Sequence, residues 1–227
     1  MPARRTRRDR IIDETLKLAG EGSWQAVTLS AVAARAGCSL ADLRREFPGR
    51  GAILAAFIDR IDVEMLAGAG ESDAGDAARD RLFDLVMRRF DALAPYKPAL
   101  RSIARDLAAR PAAQLFGLRR VLRSQRWVLD AAGISVPGFG GRIRTLGLAA
   151  VYLDVLRVWL DEEDPGLPRA MARLDRLLRR GERGLRRFDA PIALADAFGG
   201  FCAALAGGGR ASRPAPSDAM SDAKGDA

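Results

Sequence analysis

Apolar positions recur along most of this chain at three- and four-residue spacing, as they do in helices that bury one face. Ile11, Ile12, Leu16 and Ala19 share a face between Asp9 and Ala19. Leu29, Val32, Ala33 and Ala36 do the same in the next segment, and Leu40, Leu43 and Phe47 in the one after it. Pro48 ends that run, and a longer apolar-faced helix begins from Ala52 to Met65. Further helices are expected at Ala77–Leu93, Lys97–Ala109, Pro111–Ala132, Arg142–Leu160, Pro168–Phe188 and Ile192–Ala206, with loops at Gly68–Gly75 and Gly133–Gly141. No stretch alternates in the manner of strands. The pattern predicts an all-α protein: an N-terminal module over residues 1–50, a helical body over 51–206 and a tail over 207–227. The tail is small, polar and interrupted by proline, and is expected to be disordered.

Thr28 to Arg50 reads as two short helices around a tight turn, a candidate helix-turn-helix. Thr28 and Ser39 are suited to N-capping, since their oxygens can accept orphan backbone N–H groups. Gly37 supplies the backbone freedom of the turn. Small Ala33 allows the two helices a close crossing, with Cys38 as an inward apolar plug and Trp24 closing the three-helix core. Ala41, Asp42 and Arg45 project opposite the buried stripe, on the side that would meet a DNA major groove. A plain scaffold hairpin fits the same pattern.

Charge and residue usage narrow the chemistry. The 227 residues, 48% of them hydrophobic, suffice for a small reading module and a larger core. A net charge of +8 suits a polyanion, either nucleic acid or an acidic membrane surface. The near-exclusive use of arginine equally fits GC-rich coding. Arg4, Arg5, Arg7, Arg8 and Arg10 precede the expected first helix, as a basic arm or as an ordinary solvated tail. With no histidine and two distant cysteines, Cys38 and Cys202, histidine-based catalysis and the usual zinc sets are excluded. Glu162, Glu163 and Asp164 form a charged turn, and Gly138, Gly140 and Gly141 follow no strand. No catalytic residue, metal site or cofactor is therefore expected. The N-terminus lacks the apolar core of a signal peptide and no apolar run is long enough to span a bilayer, so a cytoplasmic location is expected.

The first sixty residues resemble the TetR family of bacterial transcriptional regulators. The resemblance is carried by the apolar first helix, Gly22 and Trp24, Thr28, the turn from Ala33 to Gly37, Ser39, Leu43, and Phe47-Pro48 followed by Arg50. It implies a homodimer whose second helix enters the major groove of double-stranded DNA, and a body that responds to a small apolar ligand. It implies phosphate contacts at Thr28, Ser39 and Arg50; together with the outward side of the second helix, the expected DNA-facing set is Thr28, Ser39, Leu40, Ala41, Arg44, Arg45 and Arg50. Within that set Thr28, Ser39, Arg44 and Arg50 hold the backbone, Arg45 meets a base edge and Ala41 permits close approach. The chain departs from the family at Asp42, Arg44 and Glu46, where a small hydroxyl residue and two aromatics are usual. The two carboxylates bring like charge towards phosphate, which Arg44 and Arg45 offset.

The body contains apolar stripes that read as core, and the same residue types would line a ligand cavity. Phe83, Tyr96, Gln114, Gln125 and Tyr152 are the candidate ligand contacts. Arg81–Leu93, Trp127 with Ala132-Gly133, and Leu148–Pro165 also resemble the TetR-fold lipid-binding accessory proteins of coenzyme Q biosynthesis. That resemblance implies an isoprenoid-lipid cavity, no DNA role and peripheral membrane contact through a C-terminal helix. Arg169, Arg173, Arg176, Arg180, Arg183 and Arg187 form a basic arc opposite Met171, Leu174, Leu178 and Leu185, which is either solvated or drawn to anionic headgroups. Leu194, Phe198, Phe201 and Leu205 then form the stripe of a dimer or membrane helix.

Overall fold

The computed structural model describes residues 6–68, 77–134 and 136–184, with backbone alone at 111–116, 139, 183 and 184. The fold is all-α, and no strand occurs among the described residues. Three helices, α1 (Arg7–Glu21), α2 (Leu29–Arg35) and α3 (Leu40–Glu46), form the N-terminal module, with one turn of 3-10 helix at Trp24–Ala26. The body comprises α4 (Arg50–Ala67), α5 (Ala78–Leu93), α6 (Lys97–Ala108), α7 (Pro111–Ala131), α8 (Gly138–Asp161) and α9 (Pro168–Gly184).

Three helix starts differ from the sequence expectation, and α4 is one of them, beginning at Arg50 instead of Ala52. α1 begins at Arg7 because Thr6 and Asp9 close a capping box, each backbone N–H donating to the other's side chain at 3.1 Å. Arg7, Arg8 and Arg10 are therefore helical and do not form a basic arm; Arg4 and Arg5 lie outside the described residues. α8 begins at Gly138, so Gly138, Gly140 and Gly141 form its first turn instead of a loop. Gly141 is needed there, because a Cβ would sit 1.8 Å from the Val136 carbonyl oxygen.

One buried cluster runs from Ile11 in α1 to Leu178 in α9. α1 packs along α6 and against α4, which sets the module directly on the body. Ser102 of α6 fastens the turn after α1, its hydroxyl donating to the Gly22 carbonyl and accepting the Trp24 N–H, both at 2.9 Å. Trp24 packs half-buried against the core, as expected. Deeper in the body, Phe90 stacks between Tyr152 and Trp159, with ring centroids 5.7 and 5.2 Å apart. These contacts join α5 to α8, and Leu174 and Leu178 seal α9 over the same core.

Met171, placed in sequence on the apolar stripe of α9, is 39% exposed, at the edge of the sector that Leu174 and Leu178 fill. Arg173 in the basic arc is already committed to Asp154 of α8 through two hydrogen bonds at 2.5 and 2.9 Å. The expected helix Ile192–Ala206 with Leu194, Phe198, Phe201 and Leu205, together with Leu185, Arg187, Cys202 and the 207–227 tail, lies outside the described residues. No described helix is long and apolar enough to cross a membrane.

Phe90→Ala removes a fully buried ring that stacks on two aromatic neighbours, Tyr152 and Trp159. It is expected to destabilise the fold by about 3–5 kcal/mol, read as a lowered midpoint in urea unfolding with an unchanged slope.

Candidate nucleic-acid interface

The geometry of the module follows from its caps. The Thr28 hydroxyl accepts the Ala31 N–H at 3.1 Å and starts α2. Gly37 turns the chain at φ +64°, a conformation that L side chains resist, and the Cys38 N–H returns to the Ala33 carbonyl. The Ser39 hydroxyl accepts the Asp42 N–H at 3.0 Å and starts α3. Leu43 and Phe47 then anchor α3 to the core, while Cys38 is half-buried against it. Leu40 departs from the expected stripe: it is the first residue of α3 and is 51% exposed, whereas Leu43 is buried.

The outward face of α3 therefore presents Leu40, Ala41, Arg44 and Arg45, all exposed. Arg45, with 78% of its side chain exposed, donates to the Asp42 carboxylate at 2.8 Å. Arg7 of α1 reaches the same carboxylate at 3.5 Å, and Ser39 Oγ donates to it at 2.8 Å. The Ser39 hydrogen bond and these cations hold the Asp42 carboxyl below its ordinary pKa. Arg8 lies over the Phe47 ring at 4.3 Å, donates to the Glu46 carbonyl at 3.1 Å and stands 4.0 Å from its carboxylate. Sequence alone credits Arg44 and Arg45 with offsetting Asp42 and Glu46; the fold adds Arg7 and Arg8 from α1. The acidic departures are thus matched within the module.

Arg50 occupies a different setting from the α3 residues. Its Nη1 donates to the carbonyls of Trp24, Gln25 and Val27 at 2.9, 3.2 and 2.7 Å, and its guanidinium lies 5.4 Å from the Trp24 ring. It ties the start of α4 to the segment before α2. Only Nη1 is engaged in these bonds, and the residue is half-buried. Arg35 likewise binds Glu21 with two hydrogen bonds at 3.0 and 2.9 Å and reaches Glu14 at 3.3 Å, fixing α2 on α1.

In the body, the candidate ligand contacts do not line one cavity. Phe83 borders an open groove of about 340 Å³ with Met171, Asp175 and Leu178. Tyr96 packs edge-on against Phe57 and meets Arg60 Nη2 through its hydroxyl at 3.2 Å. The side chain of Gln114 lies outside the described residues. Tyr152 and Gln125 are both buried, and Tyr152 belongs to a polar cluster that sequence reading missed. Arg89 of α5, almost fully buried, donates to Asp62 of α4 at 2.5 Å, to Ser124 of α7 and to the Tyr152 hydroxyl of α8 at 3.2 Å. Ser124 Oγ donates in turn to Asp62 at 2.7 Å. The available signal was a charge inside an apolar stripe: Leu85, Val86 and Leu93 flank Arg89 at helical spacing and all are buried. Gln125, beside Ser124, is 0% exposed and neither atom of its carboxamide has a hydrogen-bond partner. Leaving a buried polar group unpaired costs about 1–3 kcal/mol. No group of three or more metal-ligating side chains occurs among the described residues.

The capped hairpin with an exposed cationic second helix defines a helix-turn-helix protein with a helical body. A TetR transcriptional regulator from Nitrosomonas europaea matches at 30% identity, over 78% of this chain and 98% of that one, with a TM-score of 0.64. The chain belongs to the TetR family of transcriptional regulators. A TetR regulator from Rhodococcus sp. RHA1, 24% identical over 77% of this chain and 94% of its own, shares the fold with a TM-score of 0.57. The HTH-type transcriptional repressor KstR of Rhodococcus jostii is 35% identical over 80 residues, 35% of this chain. That match spans 37% of the repressor's length. No family model matches the chain. None of these relatives is a lipid-binding accessory protein of coenzyme Q biosynthesis.

Ser39→Ala removes both the α3 cap and the hydrogen bond on Asp42. It is expected to cost about 0.5–2 kcal/mol of stability, measured by urea unfolding, and to move the Asp42 carboxyl titration upward towards its ordinary value in NMR. A depressed carboxyl favours folding above the unfolded-state pKa, and that contribution fades as pH falls through the folded-state value. In the body, Asp62→Ala strands the Arg89 charge and is expected to cost about 3–5 kcal/mol in the same unfolding assay.

Proposed function

We propose that this chain is a DNA-binding transcriptional repressor, working in the cytoplasm as a homodimer and released from its operator by a small apolar ligand. Residues 1–50 form the reading module, 51–206 the ligand-binding and dimerisation body. The observation that carries this reading is the outward face of α3, whose exposed arginines stand free of the core while the neighbouring acids are matched by α1. Arg45 reads a base edge, Ala41 lets the helix sit deep in the groove and Leu40 contacts an apolar base surface. Thr28, Ser39, Arg44 and the unengaged nitrogens of Arg50 hold phosphates, which fixes register without reading sequence.

A single seven-residue α3 spans few base pairs. Two copies spaced by one turn of DNA, about 34 Å, read enough sequence for selectivity, and this favours a dimer. A ligand acts by stabilising a body conformation whose α3 helices no longer match that spacing. α4 is the natural route, because its first residue, Arg50, grips the module while its Asp62 is held by Arg89 in the body.

Arg45→Ala is expected to weaken specific binding by about 1–3 kcal/mol and to relax base preference at one position in each half-site. Selection from a randomised duplex library followed by fluorescence anisotropy measures both. Unchanged affinity and preference would remove Arg45 from the reading set.

A further inference from the structure

The two arginines on the outward face of α3 are not equivalent. Arg44 has no hydrogen bond or ion pair among the described residues, whereas Arg45 Nη1 donates to Asp42 Oδ1 at 2.8 Å. Asp42 is itself held in place. Its other oxygen accepts the Ser39 hydroxyl at 2.8 Å, its backbone N–H returns to that hydroxyl at 3.0 Å, and Arg7 of α1 stands 3.5 Å from Oδ1. Only 26% of the Asp42 side chain is exposed, against 78% for Arg45. The acid is the fixed member of the pair and the guanidinium the outward one.

This asymmetry separates two kinds of DNA contact. A cation that serves phosphate gains nothing from a carboxylate beside it, because the acid repels the arriving phosphate. A cation that serves a base edge gains orientation: the base carries no net charge, and a long side chain already held in one rotamer loses less freedom on binding. The pair adds little to stability in water, yet it favours the rotamer in which Asp42 takes a single Nη1 proton. Four of the five guanidinium N–H groups then remain. They match two adjacent acceptors, and in the major groove only guanine presents such a pair, at O6 and N7; adenine and cytosine present an amino donor, and thymine a single oxygen beside a methyl. We propose that Asp42 is a positioning residue for base reading, which aims Arg45 at a guanine and disfavours its contact with phosphate. This rests on the DNA-binding reading above and names the base that it left open.

Asp42→Asn keeps the shape of the side chain and its acceptor for Ser39 while removing the charge. The full chain and its variants are compared by anisotropy on duplexes selected from a randomised library. At one position in each half-site the parent protein should prefer guanine by about tenfold or more, and Arg45→Ala should erase that preference. Asp42→Asn should shrink the same preference while raising affinity for unselected duplex about threefold at low salt, the effect of one unit charge roughly 7 Å from a phosphate in water. That gain should fade as salt rises. A merely weakened fold cannot produce two effects of opposite sign. Adding Asp42→Asn to Arg45→Ala should change base preference no further, since the acid acts through the arginine. An unchanged guanine preference in Asp42→Asn, or affinity that falls alike for every sequence, overturns the positioning role and leaves DNA reading standing. Preference for a base other than guanine at the Arg45-dependent position also overturns the proposal. A parent protein without sequence selectivity overturns the DNA-binding reading and the proposal with it.

Discussion

A guanidinium withdrawn from water must be met on several sides at once, and the body is organised around meeting that of Arg89. No single helix can supply a carboxylate, a hydroxyl and a phenol in the required directions. Asp62, Ser124 and Tyr152 therefore arrive from α4, α7 and α8, and the packing of Phe90 between Tyr152 and Trp159 follows from the same approach. Apolar contacts alone would tolerate small slides of one helix along another. A buried ion pair with directional partners does not, because each displacement uncovers charge.

The outward face of α3 obeys the opposite rule, with its charges at the surface and only loosely paired. Arg45 and Asp42 form an exposed contact of little net worth in water. Such a pair opens readily when a stronger anion approaches, while Arg7 remains near Asp42. Arg8 lies against the Phe47 ring and beside Glu46, so α1 contributes to the charge balance of α3.

The hairpin was legible in sequence because its determinants are local: Thr28, Gly37 and Ser39 each act within four residues, and the structure keeps their roles. Leu43 and Phe47 were legible for the same reason. The start of α1 was hidden because its cap is Thr6, which closes a capping box with Asp9 at the third helical position, whereas the apolar face begins only at Ile11. The α8 start was missed because glycine is read as a breaker, whereas crowding against Val136 demands it. The Arg89 cluster could not be assembled from spacing, since its partners stand 27 to 63 residues from Arg89 along the chain. A charge interrupting a buried stripe hints that partners exist but does not say which.

Arg50 shows how much a single side chain can restrict future sequence change. Its Nη1 serves three carbonyls of one short segment while the guanidinium lies over Trp24. Lysine has the same charge but a tetrahedral ammonium in place of a planar group, so it cannot both stack on the indole and reach that span. The substitution most often tolerated for arginine elsewhere is therefore closed at this position. Any lineage that loses Arg50 must reshape the loop before α2 in the same step, which couples the evolution of two segments 23 to 26 residues apart.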